Sequence, residues 1–124
     1  GARRFDVGQR THFETTPMAV VALRQLLEWG VPGIATTLGQ ITARIEREVA
    51  AIGLPLTSGD RGPHMLGIGL PGGARRRVAA ALAQAGVFAG LRGSSLRVSP
   101  HLWTTEEDVD RLVGALAEAT KGGP

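Results

Sequence analysis

The sequence predicts one α+β domain: a small, mostly antiparallel sheet of about three strands with four helices packed on one face, in the order ααβαββα. Three observations point there. Four stretches repeat apolar residues at intervals of three and four, the spacing of a helix face. Three short apolar runs between them are bounded by Gly, Pro or Ser and are too short to be helices. The chain has 124 residues, 43% of them hydrophobic and 20% charged, which suits a single domain with a core of its own.

The first helix starts near Thr15-Thr16-Pro17. Thr16 is placed as the N-cap and Pro17 as the first helical residue. Val20, Leu23, Leu26 and Leu27 recur on one side, and Gly30 is the stop. The second helix follows Pro32, with Ile34, Leu38, Ile41, Ile45, Val49 and Ile52 as an amphipathic stripe, and ends at Gly53 and Pro55. Residues 54–63 read as a loop with room for a short strand at its start. The run from His64 to Leu70, between Pro63 and Pro71, is the first clear strand. An alanine-rich helix from Ala74 to Ala85 turns Val78, Leu82 and Ala85 inward, and Gly86 closes it. Val87–Leu91 and Leu96–Ser99 form two strands around the turn Arg92-Gly93-Ser94-Ser95. Thr104-Thr105-Glu106-Glu107 reads as a capping box, with Glu107 reaching back to the cap. Val109, Leu112, Val113 and Leu116 are the buried stripe of the last helix.

Composition removes several function classes. There is no Cys, so disulfide scaffolds, thiolate metal sites and cysteine nucleophiles are out. No apolar run approaches the ~20 residues of a membrane span, and no signal-peptide core opens the chain. The chain starts Gly1-Ala2 without methionine, which reads as a fragment or a processed product. The pI of about 11.0 suggests nucleic acid, but the net charge is only +3. With a single lysine, Lys121, and no Tyr or Cys, the charge stays positive until arginine titrates. Aromatic content of 4% also argues against a nucleic-acid surface.

Most motif matches have plain readings. Gly67-Ile68-Gly69-Leu70-Pro71-Gly72 fits GxGxxG, but the strand runs through both early glycines and no acidic residue lies between Asp60 and Glu106. A strand followed by a Gly-Pro turn accounts for it. His12, His64 and His101 are too scattered for a metal site or a hydrolase triad. Arg75-Arg76-Arg77 reads as a solvated face, with a partner surface or neighbouring domain as the alternative. Arg92 and Arg97, around the tight turn, are different. Alternation puts Arg97 opposite Leu96 and Val98, and an arginine so placed is expected to be half-buried and to need an anion. Its planar fork suits a carboxylate or phosphate. A salt bridge to Asp6, Glu14 or the last helix is the alternative.

These residues resemble the C-terminal small domain of the class V aminotransferase family, fold-type I pyridoxal-phosphate enzymes, over nearly all of residues 1–124. Arg4-Phe5-Asp6-Val7-Gly8 is similar to that family's RF(E/D)xG stretch, and Ala22–Gly30 to its long helix. The block from Leu96 to Leu112 looks like its R(V/A)S…YNTxEEVDRL signature, with Trp103 for the usual Tyr and Thr104 for the usual Asn. The resemblance implies that Arg97 binds a substrate α-carboxylate, that Arg92 assists at the rim, and that His101 borders the same mouth. A cysteine desulfurase would carry its Cys on a longer loop; the short Gly93-Ser94-Ser95-Leu96 connection resembles the kynureninase-like and epimerase-like branches instead. It further implies pyridoxal phosphate as cofactor, an amino-acid substrate, a lysine-bearing large domain upstream, a cytoplasmic homodimer, and no nucleic-acid or membrane partner. Lys121, four residues from the end, cannot match the Schiff-base lysine, so this chain alone is expected to be inactive. The rival reading is a stand-alone anion- or partner-binding module without catalysis.

Overall fold

A computed structural model describes residues 13–121. Its elements are α1 (Thr15–Trp29), α2 (Val31–Ala51), β1 (Leu66–Gly69), α3 (Arg75–Gln84), β2 (Gly90–Arg92), β3 (Ser95–Val98) and α4 (Glu106–Thr120). The expected α+β class and ααβαββα order are both present. Arg4–Gly8, Asp6 and His12 lie outside the described residues.

The chain divides into two compact units, with the boundary between Gly33 and Ile34. In the first, α1 differs from expectation at both its start and its face. Glu14 is the N-cap and no side chain caps the helix, so Thr16 lies inside it. The stop is as expected: Gly30 has φ 77° and its N–H donates to the Leu26 carbonyl at 3.1 Å. No residue of α1 is buried, and Val20, Leu23, Leu26 and Leu27 are all exposed. Their spacing makes a helix, but their side chains stay exposed.

In the second unit the sheet has the order β1-β3-β2 and is antiparallel throughout. Leu66 pairs with Val98, Gly67 with Arg97, Ile68 with Leu96 and Gly69 with Ser95. On the other side of β3, Gly90 pairs with Arg97, Leu91 with Leu96 and Arg92 with Ser95. Because side chains alternate along a strand, the sheet has an apolar face and a separate face of Gly, Ser and Arg. Leu66, Ile68, Leu96 and Val98 are buried. They form one core with Ile45 and Val49 of α2, Val78 and Leu82 of α3, and Val109, Leu112 and Leu116 of α4. Thr42, the one buried polar side chain among the described residues, donates its hydroxyl to the Leu38 carbonyl at 3.0 Å and so stays satisfied.

The cap of α4 falls one residue later than expected. Thr105 is the N-cap, Asp108 N–H donates to its Oγ1 at 3.2 Å, and Thr105 N–H donates to Asp108 Oδ2 at 3.0 Å. Thr104 is occupied elsewhere: its Oγ1 accepts from His101 N–H at 2.9 Å and closes the preceding turn. The arginines of α3 are also more than a solvated face. Arg75 donates to the Gly93 carbonyl at 2.7 Å, and Arg77 donates to the Ala119 carbonyl at 3.1 Å. The second contact puts a cation on the carbonyl end of α4, where the helix dipole favours it.

Candidate functional site: an arginine pair on the open sheet face

The face of the sheet away from the core starts with two glycines in β1. A Cβ on Gly67 would overlap Thr57 Oγ1, and one on Gly69 would sit 3.0 Å from Pro55 Cγ. These glycines let residues 55–57 run along β1. Thr57 N–H donates to the Gly67 carbonyl at 2.9 Å, Gly69 N–H donates to the Pro55 carbonyl at 2.7 Å, and Leu56 bridges Ile68. The GxGxxG match is therefore the footprint of a neighbouring segment, and the short strand expected at the start of the 54–63 loop is this bridge.

The chain then turns across the sheet and lines a cleft of about 280 Å³. Thr57, Ser58, Asp60 and Arg61 form one wall; Arg92, Ser95 and Arg97 come from the sheet. Arg97 stands between Gly67 and Gly90, its two cross-strand partners, neither of which has a side chain. A Cβ on Gly90 would lie 3.7 Å from Arg97 Nε. The expectation that Arg97 is half-buried does not hold: it is exposed, with open space over Gly90 on one side, while Thr57 fills the space over Gly67 on the other. The case for an anion thus rests on its partners and not on a desolvation cost.

Among the described residues Arg97 and Arg92 have no ion pair, and the alternative salt bridges from Arg97 to Glu14 or α4 do not form. Other arginines are tied. Arg44 donates to Glu48 at 2.7 Å and also reaches Asp110, and the Glu48 hydrogen bond is the main reason its pKa is raised. Arg61 pairs with Glu46, and Arg111 with Asp108.

His101 is not among the residues lining that cleft. Its ring stacks on Trp103, with centroids 3.6 Å apart, and its Nδ1 accepts from Leu102 N–H at 2.8 Å. A separate hollow of about 290 Å³ lies beside Trp103 and Phe88, over Ile45, Val98 and Leu112. The structure thus brings Arg92 and Arg97 together and leaves His101 apart. The wall at Thr57, Ser58 and Asp60 was not foreseen. Its signal was the Gly-x-Gly inside a strand, which marks close approach of another backbone. Among the described residues no group of His, Asp and Glu could hold a metal ion, and no helix is long and apolar enough to cross a membrane.

The same fold occurs within longer chains. The chain is similar in structure to an alanine–glyoxylate aminotransferase from Nostoc sp., with a TM-score of 0.68 and 22% identity over 96% of this chain and 34% of that one. It is also similar to a NifS-like protein, with a TM-score of 0.60 and 16% identity over 82% of this chain and 30% of that one. The chain therefore has the fold of part of an aminotransferase and spans about a third of the length of these structures. No family model and no curated protein sequence matches it.

Proposed function

We propose that this chain is the C-terminal small domain of a pyridoxal-phosphate enzyme of the class V aminotransferase family, and that Arg97 binds the α-carboxylate of its amino-acid substrate. The observation that carries the reading is an exposed Arg97 standing alone between two glycines, without an anionic partner among the described residues. The likeness in fold to an aminotransferase supports it. A planar guanidinium fork can meet both carboxylate oxygens in one plane, which fixes the orientation of the attached Cα. Arg92, on the same cleft, adds a second cation at the rim. His101, stacked on Trp103 and not among the residues lining the cleft, has no part in this reading.

The residues of this chain do not fit the cofactor itself. The only lysine, Lys121, is exposed at the C-cap of α4 and is not among the residues lining the arginine cleft. The reading therefore assigns the Schiff-base lysine and the cofactor to a large upstream domain, within a cytoplasmic homodimer.

The test is a titration of the ¹⁵N-labelled chain with acetate, following the Arg97 Nε–H resonance. Saturable shifts there and at the backbone amides of Gly67 and Gly90, the amide shifts lost in Arg97→Gln and weakened in Arg97→Lys, support the reading. No shift at Arg97, or unchanged acetate binding in Arg97→Gln, overturns it. Mixing the chain with pyridoxal phosphate should produce no Lys121-dependent imine absorbance.

A further inference from the structure

We propose that the arginine cleft takes a ligand with two carboxylates, so that the amino acid handled by this domain is a dicarboxylic one. The inference rests on the reading of Arg97 just given and assigns the second anion to Arg92. The strand register sets the geometry. Gly90 is the partner of Arg97, and Arg92 lies two residues further along the same strand. Arg92 and Arg97 are therefore diagonal neighbours on one sheet face, a relation that separates backbone positions by about 7–8 Å. Both line the one cleft of about 280 Å³. The long side chains can converge over that distance, and Gly90 puts nothing in front of Arg97.

The charges in the cleft favour the same ligand. Arg61 also lines it, but Glu46 already neutralises that guanidinium. Asp60 lines it with no ion pair among the described residues. The unmatched groups are then two guanidinium ions and one carboxylate, one net positive charge. An amino acid with two carboxylates and one ammonium carries one net negative charge. A monocarboxylic amino acid carries none and would leave the cleft with one positive charge in excess. The hydroxyls of Thr57, Ser58 and Ser95 line the same space and can donate to carboxylate oxygens left free by the arginines.

The experiment compares acetate, succinate and sulfate on the full 124-residue chain at constant ionic strength, following the Nε–H resonances of Arg92 and Arg97. Succinate is expected to bind at least about tenfold more tightly than acetate, a ratio typical of one added charge-assisted pair. Arg92→Gln should cut the succinate affinity several times more than the acetate affinity and so remove most of the difference between the two ligands. Arg97→Gln should weaken both. Succinate no tighter than acetate, with acetate still dependent on Arg97, overturns the dicarboxylate inference and leaves the carboxylate site standing. Sulfate as tight as succinate also overturns it, because a compact dianion does not need two separated arginines. Loss of Arg97 dependence for every ligand overturns both readings. Amide spectra of Arg92→Gln matching those of the native chain would show that its effect is not one of folding.

Discussion

The two faces of one three-stranded sheet are built from the same four β3 residues and could hardly be more different. Leu96 and Val98 point into a core closed by α2, α3 and α4, while Ser95 and Arg97 point away from it, across from glycines. One face spends its side chains on packing. The other removes them, so that a single guanidinium and its diagonal neighbour stand clear. A one-residue slip of β3 would exchange the two sets, so the core residues hold the arginines on their side of the sheet. Stability and binding are thus expected to separate cleanly between adjacent residues.

The largest effect follows directly. Leu96→Ala opens a cavity between Ile68, Leu91 and the helices, and should cost about 2–5 kcal/mol by urea unfolding. Arg97→Gln, one residue away, should change stability by less than about 0.5 kcal/mol, because Arg97 is exposed and unpaired among the described residues. Equal losses for the two variants would break the contrast between the faces.

The next effect probes how the open face is kept open. Gly67→Ala puts a methyl group into Thr57, so residues 55–57 or β1 must move, at about 1–3 kcal/mol. Thr57→Gly in the same chain should recover most of that loss, a strong positive coupling in a double-mutant cycle. Independent, additive losses would mean that Gly67 is required for some other reason.

Much of this was legible in the residues, for physical reasons that also mark where legibility stops. The class, element order and inward faces of α2, α3 and α4 follow from periodicity. Burial of Leu38, Ile45, Val49, Val78, Leu82 and Leu112 agrees with it. Periodicity reports spacing and says nothing of what covers a face, and α1 shows the difference: a regular apolar helix with no buried residue. Local capping competitions escaped for a similar reason. Thr104 and Thr105 are equally good caps in isolation, and only the turn at His101 decides between them by engaging Thr104. Arg97 was found from alternation, but its exposure was not. Burial on a sheet's far face depends on cross-strand neighbours, and Gly67 and Gly90 lie thirty and seven positions away in sequence. The Thr57–Asp60 wall depends on tertiary routing of a loop and left only the paired glycines as a trace.

The two smallest effects lie at the start of α4, which packs the closed face. Thr105→Ala removes the acceptor for Asp108 N–H and should cost about 1 kcal/mol. The partner half of the capping box gives a pH signature. Thr105 N–H donates to the Asp108 carboxylate, and this bond, helped by the Thr105 hydroxyl and Arg111, holds Asp108 below its ordinary range. A carboxyl group whose pKa is lower in the folded than in the unfolded chain stabilises the fold above its unfolded pKa, about 3.9, and loses that contribution as pH falls through the folded value. Stability should therefore be flat from neutral pH to about 5 and decline below it, with a shallower decline in Asp108→Asn. Carboxylate binding at Arg97 should fall over the same acidic range for a different reason, protonation of the ligand. Asp108→Asn should leave that fall unchanged, because Asp108 is not among the residues lining the arginine cleft. If the variant shifted both curves together, the cap of α4 and the open face would be coupled, and the separation of packing from binding would fail at the residue where it is cheapest to test.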